Sequence, residues 1–204
     1  MRSIFRSRTV AALAVVMASA LAGTSCASEF TRTGSSSSFV IIESLQGAPG
    51  AEPDEFGSPL LSDVLTFGGT FNDLGQARMS VALRNPNTPT GPSVINSITL
   101  NRYRVVYRRA DGRSTPGVDV PHAFDGAITV TVPSTGNVTF AFEVVRNQAK
   151  WEPPLSNMRN LGGGLLISTL AEITFYGRDQ AGNEVEATGT LQVNFGDFAD
   201  PEEE

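Results

Sequence analysis

Apolar and polar residues alternate along most of the chain after residue 38, which is the period of a half-buried β-strand. Clusters of Asn, Pro, Asp and Gly separate these alternating segments, and such residues favour turns. The pattern predicts seven strands, over residues 39–45, 77–84, 98–109, 128–132, 138–144, 165–178 and 184–195. One helical turn is expected at residues 153–161, where Pro153 opens the segment and Gly162 would cap it. The sequence therefore predicts an all-β protein, a seven-stranded antiparallel sandwich.

Two parts of this pattern resemble known sandwich families. The last hairpin, residues 173–195, reads ITFYGRDQAGNEVEATGTLQVNF and resembles bacterial immunoglobulin-like and fibronectin-type domains. The stretch VALRNPN followed by ITLNRYRVVY, residues 81–107, resembles the strand–turn–strand of late-embryogenesis-abundant type 2 domains. Stretches such as NRYRVVYRRADGR also resemble bacterial lipoproteins without an assigned activity. These resemblances imply an immunoglobulin-like (Ig-like) sandwich.

The N-terminus has the features of an export signal. Residues 1–8 are basic, and residues 9–23 form an apolar stretch that is too short to span a bilayer. Cys26 follows directly, and LAGTSC resembles a bacterial lipoprotein signal, in which the cysteine is acylated and becomes the first residue. The family prefers Leu where Gly23 stands, so the motif is imperfect, and cleavage after Ala22 by the ordinary signal peptidase is the alternative.

The chain then divides into four parts. Residues 1–25 are the expected signal peptide, and residues 26–38 are a lipidated cysteine with a Ser-rich tether. Residues 39–198 have the size of one Ig-like domain. Residues 199–204 form an acidic tail that we expect to be disordered. Ala27 after the cysteine resembles the outer-membrane sorting pattern of enteric bacteria. We therefore expect a lipid-anchored protein of the cell envelope, located in the outer membrane.

Composition and charge exclude several classes of function. The full chain carries a net charge of −6, and three of its 15 basic residues lie in the expected leader. A mature chain this acidic is a poor nucleic-acid binder, because that affinity comes mainly from basic residues. One Cys and one His exclude a disulfide scaffold and a His-cluster metal site. No cofactor motif occurs, so no cofactor is expected.

The strand at residues 98–109 is rich in arginine. Arg102, Arg104 and Arg108 share one face of it, whereas the tyrosines at 103 and 107 lie on the other. One interpretation is a stripe that binds anions. The other is an ordinary outer face with cross-strand ion pairs. An immunoglobulin-like strand order would pair this strand with residues 165–178, and those with residues 184–195, so the expected partners are Glu172, Glu184 and Glu186.

The loop at residues 147–164 contains the only Lys and the only Trp of the chain, Lys150 and Trp151. An exposed Trp offers a large contact area for a protein or for the face of a sugar ring. The alternative is that Trp151 caps an open end of the core. Lys150 and Trp151, together with the three arginines, are the predicted contact residues.

Two other possibilities are a calcium site and a hydrolase site. Asp179, Asn183 and Glu184 are a weak candidate for calcium, although a hairpin turn explains them. His122 is the only histidine, and no nucleophile elbow accompanies it, so an envelope hydrolase would need a carboxylate pair or a pocket around His122.

The sequence thus favours a non-enzymatic, lipid-anchored interaction or structural module of the cell envelope. Its partners would be the membrane, through the N-terminal lipid, and an envelope protein or glycan. A carbohydrate-binding module is the alternative, and it would require Trp151 to share an open groove with Tyr176 or Tyr103.

Overall fold

The computed structural model describes residues 36–87, 89 and 91–200 of the chain. The predicted signal peptide, Cys26, the tether up to residue 35 and the last four residues of the acidic tail lie outside the described residues. Within the described part, no helix has both the length and the apolar character needed to cross a bilayer.

Among the residues that the structure describes, eight strands form two sheets. A three-stranded sheet has the order β1-β3-β6, and a five-stranded sheet has the order β2-β8-β7-β4-β5. The strands are β1 Ser38–Ala48, β2 Leu60–Asp63, β3 Asp73–Leu83, β4 Ile98–Arg109, β5 Phe124–Val132, β6 Asn137–Val145, β7 Ile167–Asp179 and β8 Glu184–Gly196. The helix α1 spans Asn147–Trp151, and two 3₁₀ helices span Val94–Asn96 and Leu155–Met158.

The all-β class is confirmed, whereas the count of seven strands and the purely antiparallel arrangement are corrected. The additional strand is β2, which pairs with β8 in parallel. It has only four residues and lies in a segment rich in Pro, Gly and acidic residues, so it lacks the alternation that marks a strand. The predicted helical turn is also shorter than expected, and the α-helix begins before it, at Asn147.

The core lies between the sheets and consists of the inward positions of the alternating strands. Tyr103, Phe142 and Phe175 are buried there, and the ring centroids of Phe142 lie 5.1 Å from those of the other two. Tyr107 is also buried, and its hydroxyl donates a hydrogen bond to the carbonyl of Val144 on the opposite sheet. These contacts hold the two layers in one register.

A β-bulge in β4 places the arginines on the outer face. Leu100 pairs with Gly177 of β7, and Arg102 pairs with the adjacent Tyr176, so Asn101 is the extra residue on β4. The bulge allows Leu100 to point inward while Arg102 points outward, although their spacing of two would put both on one face of a regular strand.

The two ends of the fold differ. The described chain begins at the end that we call the entry pole, where Asn96 Nδ2 donates to Ser37 Oγ at 3.1 Å. The β5–β6 and β7–β8 turns lie at this pole as well. The β3–β4 connection, residues 84–97, lies at this pole too, whereas the other connections and the C-terminal segment gather at the opposite end, the loop pole, which comprises residues 49–59, 64–72, 110–123, 146–166 and 197–200. With 13 residues in β7, the poles are about 40 Å apart.

Candidate functional site

The three predicted arginines lie on the outer face of the five-stranded sheet, where they form ion pairs. Arg102 Nη1 lies 3.0 Å from Asp125 Oδ1, and Arg104 Nη1 lies 2.8 Å from Asp125 Oδ2. A single carboxylate of β5 therefore binds both guanidinium groups. Arg108 pairs with Glu172 of β7, with 3.3 Å between Nε and Oε2.

This arrangement agrees with the ion-pair interpretation of the arginine-rich strand, although Glu172 alone of the three expected partners forms one of these pairs. Glu172 was an expected partner, whereas Asp125 was not, because β5 had not been placed beside β4. Glu184 pairs instead with Arg178, at 3.0 Å. The Arg102 guanidinium also lies over the Tyr176 ring, 4.0 Å from its centroid, at a shallow cavity of about 470 Å³. The face is thus locally neutralised, and each exposed pair contributes at most about 1 kcal/mol.

Lys150 is not a surface residue, so its prediction as a contact residue is corrected. Its side chain is 2% exposed, and its Nζ lies 2.8 Å from Oδ1 of Asp73, whose side chain is fully buried. Asp73 also accepts hydrogen bonds from Ser62 Oγ at 2.5 Å and from the Gly50 backbone N–H at 2.9 Å. Because the helix α1 turns inward here, the lysine points into the molecule at the loop pole.

The Lys150–Asp73 pair borders a cavity of about 210 Å³. Its walls are mainly apolar and include Phe71, Leu61 and Phe198. Burial raises the pKa of the Asp73 carboxyl above its ordinary value, although the attraction of Lys150 acts in the opposite direction. The lining of the cavity therefore includes the Asp73 carboxyl and the Lys150 amine, and both groups are shielded from bulk water.

Trp151, next to the buried lysine, lies on the surface with 58% of its area exposed. Its indole Nε1 donates to Thr70 Oγ1 at 2.8 Å, and the Arg159 guanidinium lies over its ring at 3.6 Å from the centroid. The ring is thus oriented from two sides without closing the core, which contradicts the capping interpretation. Among the described residues, Arg159 has no carboxylate within ion-pair distance, and its buried Nε has no hydrogen-bond partner.

Other exposed hydrophobic side chains share the loop pole with Trp151. Asp200 accepts a hydrogen bond from the Phe67 N–H at 2.9 Å, so the connection after β2 and the C-terminal segment meet there. Apart from Trp151, the apolar side chains of this pole that are at least 43% exposed are Val118, Phe67, Phe71, Leu161, Leu165 and Leu166, and Leu61 of β2 lines one cavity with Phe71. Single exposed apolar residues are common, whereas several at one end of a fold are typical of contact surfaces.

The remaining candidates are dispersed. Tyr103 is buried in the core and Tyr176 lies on the sheet under Arg102, so neither shares a groove with Trp151. His122 is exposed in the connection before β5, outside the cavity beside Lys150. Asp63 lines that cavity together with Asp73, and its oxygens accept hydrogen bonds from Thr66 Oγ1 and two backbone N–H groups.

The possible calcium ligands form a hairpin turn instead. Asp179 accepts hydrogen bonds from the Asn183 side chain at 2.8 Å and from the backbone N–H groups of Ala181 and Asn183. Burial opposes its ionisation, but these hydrogen bonds prevail and lower its pKa. Among the described residues, no three His, Cys, Asp or Glu side chains form a group that could hold a metal.

Comparison with known proteins adds little. No protein-family model and no curated protein matches the sequence. A solved structure, described as the X-ray structure of Northeast Structural Genomics Consortium target SoR45, is similar with a TM-score of 0.34 and 11% sequence identity. That similarity covers 77% of this chain and 86% of the other.

Proposed function

We propose that this protein is a non-enzymatic recognition module of the bacterial cell envelope, anchored through a lipid on Cys26, that binds a partner protein with its loop pole. The domain is an Ig-like sandwich with one added parallel strand. The observation that carries the proposal is the surface-exposed Trp151, oriented by Thr70 and Arg159 within a group of exposed apolar side chains.

The position of the two poles supports this proposal. The described chain begins at the entry pole, to which a tether from Cys26 leads. The loop pole lies about 40 Å away along the strands. Trp151 therefore lies at the opposite end of the strands from Ser36, the first described residue after the tether. Tethering also raises the local concentration of the domain, so that modest affinity is sufficient.

Residue chemistry favours a protein partner. Trp and Arg are the residue types most enriched at energetically dominant positions of protein interfaces, and here they are stacked on one another. The Arg159 guanidinium covers one face of the Trp151 ring, which leaves less of the ring free for a sugar. The tyrosines that would complete a carbohydrate groove also lie elsewhere. We therefore favour a protein partner over a carbohydrate.

Negative charge at the loop pole favours a partner with basic residues. Glu52, Asp54 and Glu55 are exposed in the connection between β1 and β2, and Asp200 is exposed nearby. Complementary charge accelerates association and excludes wrong partners more than it adds affinity. The partner would thus present an apolar patch bordered by basic residues, and association would slow as salt is added.

In-cell photo-crosslinking tests the binding surface. A photoreactive residue at position 151 should give a discrete protein adduct in the membrane fraction of the native host. Val94 provides the matched control, because it is an apolar residue, 79% exposed, at the entry pole. An adduct from position 151 and none from position 94 supports the proposal. Glycan adducts, or equal adducts from both positions, contradict it.

A second experiment tests the anchor separately. Replacing the cysteine in Cys26→Ser removes the thiol that would be acylated. The protein should then leave the membrane fraction and lose a metabolically incorporated fatty-acid label. If the variant stays membrane-bound and the wild type carries no label, the lipid anchor is wrong, whatever the crosslinking result.

A further inference from the structure

The Lys150–Asp73 pair is unusual within this chain. Lys150 is the only lysine in the sequence, yet it is buried beside a fully buried aspartate. The two residues lie 77 positions apart, and Nζ and Oδ1 are separated by 2.8 Å. Two reactive groups held together in this way have a large advantage over the same groups free in solution, because the entropy of bringing them together is already lost.

Burial changes the chemistry of this pair. A buried ion pair loses the hydration of both charges, and this cost can exceed the attraction between them. The upward shift of the Asp73 pKa points the same way, because it favours the neutral acid. Transfer of a proton from the ammonium to the carboxylate gives an amine and a carboxylic acid, which is the pair of forms that can condense.

We propose that Lys150 and Asp73 form an intramolecular isopeptide bond. The neutral Nζ attacks Cγ of Asp73, a C–N bond forms, and one C–O bond breaks. The departing hydroxyl takes a proton that originates on Nζ and leaves as water. The reaction is a condensation, so no oxidant, reductant or other reactant is required.

The surrounding groups suit this reaction. Charge develops on the carboxyl oxygens as the amine adds, and donors already directed at those oxygens lower the barrier. The Gly50 N–H donates to Oδ1 and the Ser62 hydroxyl donates to Oδ2. The cavity of about 210 Å³ that both reacting residues border provides space for the released water. Gly50 and Ser62 are positioning residues here, and the bond-forming atoms belong to Lys150 and Asp73.

The bond would have a structural consequence at the proposed contact surface. It would join α1 to the start of β3 and close a loop of residues 73–150 covalently. Trp151 directly follows the linked lysine, so its position would be fixed by a covalent bond as well as by packing. The chain has one cysteine and cannot form an internal disulfide, so an amide is the crosslink that its side chains permit.

Peptide mass spectrometry of the purified wild-type protein tests the proposal directly. Trypsin cleaves after arginine and after unmodified lysine. An isopeptide bond would block cleavage after Lys150 and join residues 147–159 to residues 33–78. The joined species would weigh the sum of the two peptides minus one water. If the wild type instead gives separate linear peptides with cleavage after Lys150, the proposal is wrong.

Two variants test which residues form the bond and which residues assist its formation. Lys150→Arg keeps the positive charge but removes the amine nucleophile, so its digest should contain only linear peptides. Ser62→Ala should slow formation and leave a mixture of linked and unlinked protein. The decisive measurement uses the wild type alone, so it stands even if a variant fails to fold. A linked species that persists in Lys150→Arg would contradict the assignment of the bond.

Discussion

The β-bulge of β4 leads to a stringent prediction about Gly177, where the neighbouring strand leaves no space for a side chain. A Cβ at this position would lie 2.3 Å from the Thr99 carbonyl oxygen and 2.9 Å from the Leu100 Cα. Both atoms belong to the backbone, so a change of rotamer cannot relieve the contact. Overpacking typically costs about 1–3 kcal/mol, and this contact should be at the upper end. The substitution also lowers the conformational entropy of the unfolded chain, which stabilises the folded protein by about 0.4–1 kcal/mol.

We therefore expect Gly177→Ala to lower the free energy of unfolding by about 2 kcal/mol. For a domain of this size, that corresponds to a fall in Tm of about 4–8 °C. Urea titration and thermal unfolding followed by circular dichroism measure both quantities. Gly57→Ala is the matched control, because a Cβ there meets no atom within 4 Å. The reasoning would be refuted if Gly177→Ala melted at or above the wild-type temperature while the control was unchanged.

Three further predictions concern single side chains. Tyr107→Phe should cost about 1–2 kcal/mol, measured by urea unfolding, because it leaves a buried carbonyl on β6 without its donor. Burial also raises the pKa of Tyr107. The stability that this tyrosine provides is therefore present below the unfolded tyrosine pKa of about 10 and is lost as the pH rises above that value. Comparing the alkaline unfolding of the wild type with that of Tyr107→Phe checks this. Asp179→Ala should cost about 1–2 kcal/mol at neutral pH, and since the folded pKa is lowered, the cost should shrink as urea unfolding is repeated below about pH 3.9. Trp151 fluorescence should be accessible to a neutral quencher and become more so in Arg159→Ala, with little change in stability; a quencher-protected Trp151 would contradict the surface position.

The sequence predicts most of the sheet because inward and outward positions alternate strictly. The strand predicted at residues 98–109 has the bounds of β4, and its predicted neighbours on one side, β7 and then β8, are those in the fold. The short strand β2 could not be predicted in the same way, because it contributes only four residues to pairing. The bulge was also hidden, since the extra residue, Asn101, is polar like its neighbours on the outer face.

The candidate site was harder to predict because long-range contacts determine it. The sequence places Lys150 in a predicted loop, whereas its burial depends on contact with Asp73, which lies 77 residues away. The joint binding of Arg102 and Arg104 by Asp125 likewise depends on the placement of β5 beside β4. The sequence left open whether Trp151 is exposed or caps the core, and its exposure depends on how this loop packs, which the local sequence does not determine.

Burial of the only lysine also determines the kind of positive charge that the domain shows to its surroundings. Every exposed basic side chain in the described part of the chain is an arginine, apart from the single histidine. Guanidinium groups stay protonated up to about pH 12 and are not acylated by reagents that attack amines. The positive charge that the arginines give to this surface is therefore nearly constant below about pH 12. Amine-directed labelling or immobilisation would find no side-chain target there and would leave the loop pole unmodified.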